Sequence, residues 1–158
     1  MAIRNILNDE DETLRKKSRP VESFDRRLHM LLDDMIDTLN DVSGVGLAAV
    51  QVGVLRRAVI IDDGEKIIEL INPDIVEKSG RQEDVEGCLS CPGKYGITKR
   101  PMNVTVRAQD RFGKQFEVSG EGLLARAFCH ECDHLDGKLF YDHVIRMLDP
   151  DEIIRDDD

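Results

Sequence analysis

Aromatic residues are scarce in this chain of 158 residues: tryptophan is absent, and the aromatic fraction is 4%. A hydrophobic core must therefore consist mainly of Leu, Ile, Val and Met. The 41% hydrophobic content is sufficient to build such a core, which excludes wholesale disorder. No apolar run approaches the ~20 residues of a membrane-spanning helix, and the N-terminus lacks the apolar segment of a secretory signal. We therefore expect no membrane association and a location in the cytoplasm.

Positive charge is also in short supply. The 22 lysines and arginines are outnumbered by 32 aspartates and glutamates, which leaves a formal net charge of −10. The basic pairs Lys16-Lys17 and Arg26-Arg27 are short and are followed by acidic residues. Because an acidic surface repels phosphate backbones, we expect no direct binding of nucleic acid. The acidic tail, roughly residues 149–158, is expected to be frayed.

The length suits one domain, and the absence of repeats and linkers indicates that residues 1–158 form a single unit. Apolar residues at helical spacing predict a helix over residues 24–40 with Ser23 as its N-cap. They also predict a second helix over about 121–135, which ends at Gly137. Alternating runs predict short strands at residues 58–61, 67–72, 73–78, 104–108 and 115–118. Strands and helices that are separated in sequence are typical of an α+β fold.

The second predicted helix contains the sequence His-Glu-Cys-Asp-His at residues 130–134, an H-E-x-x-H motif. At about 100° per residue, His130 and His134 lie about 40° apart on one helix face, so the two imidazoles can bind a single cation. Glu131 lies about 100° round the helix, in the middle of an arc of apolar residues. Burial there raises the pKa of a carboxyl group, so Glu131 is a candidate to accept a proton from a water at the metal and to return it later.

A metal held by two histidines needs a third protein ligand, and the four cysteines offer two alternatives. Cys88 follows a glycine in a predicted strand or loop and can complete an open site of one thiolate and two imidazoles. Alternatively, the chain has two C-x-x-C pairs, which are typical of a structural zinc site: Cys88 with Cys91, and Cys129 with Cys132. Cys129 and Cys132 lie at about 260° and 200° on the helix, away from the histidines. We therefore favour the first alternative and expect small apolar fillers at the other three cysteines.

Three segments in this order resemble the peptide deformylase family: residues 44–51 (Gly-Val-Gly-Leu-Ala-Ala-Val-Gln), 86–90 (Glu-Gly-Cys-Leu-Ser) and 130–134 (His-Glu-Cys-Asp-His). The resemblance extends over about residues 15–142, and the spacing suits the compact bacterial form of that family. It implies an α+β fold with an N-terminal helix, in which short antiparallel β-sheets pack around a central helix that carries the H-E-x-x-H motif.

The resemblance also implies a metal-dependent hydrolase, which removes the N-formyl group from the initiator methionine of newly made polypeptides and releases formate. The implied metal is Fe²⁺, with Zn²⁺, Ni²⁺ or Co²⁺ able to replace it, and the implied ligands are Cys88, His130 and His134. Three groups are implied to take part in catalysis: the carboxylate of Glu131, the side-chain amide of Gln51 and the backbone N–H of Leu89. The residues implied to bind the substrate are Gly44, Val45, Gly46, Glu86 and Gly87.

The sequence departs from the family at several positions. Cys129 stands where glutamine is usual, and Val50 stands where threonine is common. Arg126 stands where an apolar residue near the methionine pocket is usual, and at about 320° on the helix we expect it to face solvent. The acidic tail differs from the basic C-terminal helix by which some relatives bind the ribosome. We therefore expect a monomer whose contact with the ribosome does not use such a helix.

Two other functions remain open at this point. A general H-E-x-x-H zinc metallopeptidase would cleave internal or unformylated peptides, and it would have no use for residues 86–90 in frame with Gln51. A binding module held together by a four-cysteine zinc site would lose its metal on Cys91→Ser substitution. The deformylase hypothesis predicts instead that Cys91→Ser retains the metal and that Cys88→Ser does not.

Overall fold

The structure, a computed structural model, describes residues 2–152. The last part of the predicted frayed tail, residues 153–158, lies outside this range. Within the described range, helices and strands follow the order α1 (Arg26–Val42), β1 (Gly46–Ala48), β2 (Ala58–Asp62), β3 (Ile67–Ser79), β4 (Gln82–Gly87), β5 (Tyr95–Arg100), β6 (Asn103–Gln109), β7 (Gln115–Glu121), α2 (Leu123–Leu135) and β8 (Val144–Met147). Short 3-10 helices lie at Glu12–Arg15, Ala49–Val52 and Phe140–Asp142. None of the helices in residues 2–152 is both long and apolar enough to cross a membrane.

Helix α1 begins later than predicted because Asp25, and not Ser23, is its N-cap. The Asp25 carboxylate accepts a hydrogen bond from the Leu28 N–H at 3.1 Å, and so satisfies one of the free donors of the first turn. The helix ends where Ser43 adopts a left-handed conformation, with φ of 53°. Its apolar stripe packs against β2, and the buried members of the stripe are Leu28, Leu31, Leu32, Met35 and Leu39.

The strands form two antiparallel sheets, one of five strands in the order β1-β2-β3-β6-β7 and one of three strands in the order β4-β5-β8. β3 is a single strand of 13 residues, so the prediction of separate strands at 67–72 and 73–78 was wrong. Asn72 takes a left-handed conformation, and the pairing of β3 with β6 shifts between Ile71 and Asp74 without ending the strand. β1 and β4 stand at the edges of different sheets, so each has one side without a strand partner among residues 2–152.

Helix α2 lies between the two sheets. One face packs Phe128 into an apolar cluster with side chains of β2, β3 and β6. The other side reaches β4 of the small sheet, where His130 makes a hydrogen bond to Glu86. The helix ends at Leu135, and the predicted stop residue Gly137 follows its C-cap. The φ of Gly137 is 74°, in the left-handed region that favours glycine. The predicted α+β fold is confirmed, and residues 130–134 form the C-terminal part of α2.

Candidate metal centre and active site

Three potential metal ligands, one sulfur and two nitrogens, converge beside the C-terminal half of α2. His130 Nε2 and His134 Nε2 lie 3.2 Å apart, and Cys88 Sγ lies 3.3 Å from His134 Nε2. All three ligand atoms lie within 4.8 Å of one another. In a tetrahedral site with bonds of about 2.1 Å to nitrogen and about 2.3 Å to sulfur, ligand atoms stand roughly 3.4–3.6 Å apart, close to the separations seen here. The donor set and its spacing therefore fit a divalent transition-metal ion.

The four-cysteine alternative is wrong. Cys91, Cys129 and Cys132 are not part of the ligand group, and residues 2–152 contain no cluster of four cysteines. Cys129 belongs to the apolar cluster of α2, as a small filler would, and Cys132 is half-buried. All four cysteines are free thiols. The helical geometry explains this outcome, because residues one and two positions from a histidine on α2 point to other sides of the helix.

The ring orientation of His130 is set by a carboxylate on β4. Glu86 Oε2 lies 2.6 Å from His130 Nδ1, and Arg100 Nη2 donates to the same carboxylate at 2.8 Å. Burial alone would raise the pKa of Glu86, but the hydrogen bonds from His130 and Arg100 outweigh it and hold the pKa at about 2. An ionised Glu86 keeps the proton of His130 on Nδ1, so the Nε2 lone pair is free to bind a metal.

His134 is fully buried, and its Nδ1 atom has no hydrogen-bond partner among the described residues. Burial lowers the pKa of His134 well below the usual value, and the neighbouring His130 lowers it further. The imidazole is therefore neutral at physiological pH, which is the form that binds metals.

Glu131 is a buried carboxylate, and one of its two oxygens has no hydrogen-bond partner among residues 2–152. This oxygen is Oε1. The other, Oε2, packs against the backbone of Gly46, where an added Cβ would lie 2.7 Å from it. Burial raises the pKa of Glu131 to about 7, and the nearby Glu86 also raises it, against the opposing effect of His130. Such an orphaned carboxylate at a cleft is typical of a group that exchanges protons with a ligand.

Two hydrogen-bond donors lie beside the ligand group. Gln51 is buried and held at both ends of its amide: Oε1 accepts from the Ala48 N–H at 2.9 Å, and Nε2 donates to Ser90 Oγ at 3.0 Å. Gln51 Nε2 also lies 3.5 Å from Cys88 Sγ. The backbone N–H of Leu89 has no acceptor among residues 2–152. The site therefore has one preorganised side-chain donor and one free backbone donor.

A pocket of about 330 Å³ connects these groups. It lies between β1, β4 and α2, and ten of the eleven predicted site residues line it: Gly44, Val45, Gly46, Gln51, Glu86, Gly87, Cys88, Leu89, His130 and Glu131. His134 lies behind the pocket wall. The departures from the family at Val50 and Cys129 lie in the apolar cluster of α2 and not in the pocket lining.

Arg126 is buried, so the prediction that it faces solvent was wrong. Its guanidinium reaches across the cleft to β4, where Nη2 donates to Gln82 Oε1 at 2.6 Å and lies 3.4 Å from the Asp84 carboxylate. Arg126 also contributes to the pocket lining. The helical wheel could not reveal this, because the acceptors belong to a strand that only the tertiary structure brings beside α2.

Sequence reasoning also missed Arg100, which donates to Asp133 at 2.8 Å as well as to Glu86. It thus links β4 to the helix that carries the histidines. A signal was present, since the period-two alternation that buries Thr98 in β5 also turns Arg100 inward. A buried arginine needs an acidic partner, because an unpaired buried charge is costly, and the motif at residues 86–90 contains Glu86.

Comparison with known proteins agrees with this geometry. The family model described as polypeptide deformylase matches residues 3–149. A peptide deformylase of Caldicellulosiruptor bescii is 60% identical over 153 residues, which are 97% of this chain and 92% of that protein. The crystal structure of a peptide deformylase from Legionella pneumophila is similar with a TM-score of 0.87 and 50% identity, over 98% of this chain and 90% of that one. The peptide deformylase of Thermotoga maritima gives a TM-score of 0.89 at 37% identity, over 92% and 100% of the two chains.

The agreement extends from sequence to fold, and it includes the segments that carry the clustered thiol, imidazoles and carboxylate. The chain therefore belongs to the peptide deformylase family, the metalloenzymes that remove the N-formyl group from nascent peptides.

Proposed function

We propose that this chain hydrolyses the formyl amide of N-formylmethionyl polypeptides and releases formate, with the catalytic roles divided among the residues of the pocket. The observation that carries the proposal is the clustering, in one pocket, of one thiol and two imidazoles with the orphaned carboxylate of Glu131. Family membership supplies the reaction, and the distances around the pocket support the role of each group.

We propose that Cys88, His130 and His134 hold Fe²⁺, and that Zn²⁺, Ni²⁺ or Co²⁺ can replace it. A mixed set of one thiolate and two neutral imidazoles suits these borderline ions and leaves a coordination position open. When bound, such an ion lowers the pKa of water and polarises a carbonyl group. Glu86 and Arg100 keep His130 in the required tautomer and orientation.

Glu131 acts as the general base and then as the general acid. It accepts a proton from the attacking water and delivers that proton to the amine that leaves when the C–N bond of the formyl amide breaks. Its free Oε1 atom supports this role, because a buried carboxylate oxygen without a protein partner is available to a water or a substrate amine. Packing against Gly46 fixes the carboxylate in place before the substrate binds.

Gln51 and Leu89 stabilise the negative charge that develops on the formyl oxygen. The Gln51 amide cannot rotate freely, because Ala48 and Ser90 hold its two ends. A donor that is already oriented does not need to reorganise as the charge appears, which is the basis of oxyanion stabilisation. The backbone N–H of Leu89 is the second donor.

The substrate chain lies between the edges of β1 and β4. These edge strands expose backbone groups on both sides of the pocket, so an extended peptide can add to them as a strand. Gly44, Val45, Gly46 and Gly87 then contact the peptide backbone. The expected contact of Glu86 with substrate receives less support, since its carboxylate is already bonded to Thr98, Arg100 and His130. We propose that Glu86 is a positioning residue.

Several further properties stay predictions. We propose that residues 1–158 act as one domain, because α2 contacts both sheets, and that the protein is a cytoplasmic monomer. The net charge of −10 supports the expectation that it binds no nucleic acid directly, and any ribosome contact would not use a basic C-terminal helix.

The test is formate release from a formyl-methionyl tripeptide by the iron-loaded protein under anaerobic conditions. We expect turnover by the native protein, and a loss of roughly 100- to 10,000-fold in kcat in Glu131→Gln at equal metal content. The matched control is the same tripeptide without the formyl group, which a general metallopeptidase would cleave. Peptide-bond cleavage without formate release, by folded and metal-saturated protein, would contradict the proposal.

A further inference from the structure

The turn that follows β4 brings a second thiol next to Cys88. The Cys91 N–H donates to the Cys88 carbonyl oxygen at 2.9 Å, which closes a four-residue turn. The Cα atoms at the ends of such a turn lie less than about 7 Å apart, a separation that a disulfide can span. Both thiols are free.

Cys91 is buried, as expected of a small apolar filler, but it lies outside the two large apolar clusters. Cys129, by contrast, belongs to one of them. Cys91 is also absent from the metal-ligand group, although it follows a ligand by only three residues. The proposed reaction does not use its thiol. What distinguishes Cys91 from an inert buried cysteine is the turn that joins it to Cys88 in a Cys-x-x-Cys pair, because the second thiol of such a pair can attack an oxidised first thiol.

The sulfur atoms of Cys88 and Cys91 differ in how easily a small oxidant can reach them. Cys88 is half-buried and lines the 330 Å³ pocket, so a small oxidant that enters the pocket meets its sulfur first. Cys91 is 1% exposed and does not line the pocket. The first oxidation step is therefore directed to Cys88, and Cys91 is reached only through Cys88.

We propose that Cys91 is the resolving thiol of Cys88 and that a peroxide converts the pair reversibly into an intramolecular disulfide. The Cys88 sulfur attacks one peroxide oxygen, the O–O bond breaks, and Cys88 becomes a sulfenic acid while one water is released. The Cys91 sulfur then attacks the Cys88 sulfur, the S–O bond breaks, and a second water leaves. Two thiols lose two electrons in total, and one hydrogen peroxide is reduced to two waters.

This chemistry has two consequences for the site. The disulfide withdraws the only thiolate of the ligand group, so the metal loses one of its three protein ligands. It also protects Cys88, because a sulfenic acid without a resolving thiol is oxidised further to a sulfinic acid, which dithiols do not reduce. Cys91 thus makes peroxide inactivation reversible.

The experiment treats the zinc-loaded protein with a small molar excess of hydrogen peroxide under anaerobic conditions, since zinc itself is not redox-active. Intact mass, peptide mapping and released zinc are measured before and after dithiothreitol. The native protein should lose two hydrogen atoms in mass, yield a Cys88–Cys91 cross-linked peptide and release most of its zinc. Dithiothreitol and fresh zinc should restore the original state.

Cys91→Ala is the decisive variant, with Cys91→Ser as a second choice if the first folds poorly. It should bind zinc before treatment, but peroxide should add two oxygens to Cys88, and dithiothreitol should not restore zinc binding. Cys129→Ala is the matched control and should behave as the native protein. Sulfinic acid at Cys88 of the native protein without a disulfide, or full recovery of Cys91→Ala, would overturn the proposal. None of these readouts depends on deformylase activity.

Discussion

At the scale of single residues, the site depends on a close approach between a glycine and a carboxylate. Gly46 has no side chain, and Glu131 occupies the space that a Cβ atom would take. The contact holds the carboxylate in the pocket, and its Oε1 atom accepts no hydrogen bond from residues 2–152. A glycine thus positions the proposed proton-transfer group by its lack of a side chain.

Gly46→Ala keeps Glu131 but should move its carboxylate, so this variant tests whether the position of Glu131 matters for the rate. The new methyl group would lie 2.7 Å from Glu131 Oε2 and 3.0 Å from its Cγ, so the carboxylate must move. Because a displacement of about 1 Å at a reacting group can cost about 100-fold in rate, we expect kcat to fall by roughly that factor. Metal content and the thermal unfolding midpoint should change little. A kcat equal to that of the native protein would show that Glu131 is not held by this contact.

At the scale of elements, α2 carries both imidazoles and also joins the two edge strands that border the pocket. The spacing of His130 and His134 follows from the helix pitch, and Phe128 anchors the helix in the apolar cluster. On the side of the small sheet, Arg126 fixes β4 through Gln82. The width of the cleft therefore depends on a bond between a helix and an edge strand.

Arg126→Met should loosen β4 while leaving the proposed metal ligands and Glu131 in place. The variant keeps an unbranched side chain in the pocket wall but leaves Gln82 Oε1 without its donor. A hydrogen bond to a charged group is worth about 1.5–3 kcal/mol, which corresponds to a rise of at least about tenfold in KM for a formyl-methionyl peptide if the whole loss falls on substrate binding. We expect a smaller change in kcat.

The matched control for this variant is Arg107→Met. Arg107 bonds to Glu117 on the exposed face of β6 and β7, away from the pocket. Steady-state kinetics of both variants, at equal metal content, separate the two effects. Equal KM values for the native protein and Arg126→Met, or an equal rise in Arg107→Met, would show that the link between α2 and β4 does not shape the binding site.

At the scale of the whole molecule, the N-terminal segment forms hydrogen bonds to two segments beside the site. The Leu7 N–H donates to the Gln51 carbonyl oxygen at 2.7 Å, and the Asp9 N–H donates to the Ser90 carbonyl oxygen at 2.7 Å. Both contacts support segments that carry the proposed oxyanion donors. The Asp9 carboxylate accepts from Lys94 Nζ at 2.6 Å, which ties the same segment to the loop before β5.

Asp9→Asn should remove a pH-dependent part of the stability. The hydrogen bond from Lys94 lowers the pKa of Asp9 in the folded state, so the ionised form stabilises the fold above the unfolded pKa of about 4. That contribution is lost as the pH falls below about 4, through the lower pKa of the folded state. We expect the variant to be less stable by about 0.5–1 kcal/mol at pH 7, with a difference that shrinks towards pH 3.

Urea unfolding of the chelator-treated protein at pH 7, 5 and 3 measures this difference without a contribution from metal loss. Asp41→Asn, which alters an exposed carboxylate of α1, is the control and should show little change at any pH. A difference between the native protein and Asp9→Asn that grows on acidification would contradict the assignment.

Much of the site could be predicted because its signals are local. Helix pitch alone places His130 and His134 on one face and Glu131 in the apolar arc, so the sequence was enough to predict a metal-binding helix. The motifs around Gln51 and Cys88 identified the family, and the structure brings their side chains to the same pocket. The lack of long apolar runs and the net charge of −10 can likewise be read from the sequence without a structure.

The remaining features arise from contacts between distant segments. β3 continues through Asn72, and Arg126 turns inward to acceptors on β4. Each depends on partners that sequence spacing does not reveal, because backbone direction and neighbouring strands are set when the two sheets pack around α2. Local periodicity thus determined which residues share a helix face, whereas only the tertiary structure decided which carboxylate orients His130 and which acceptors bind Arg126.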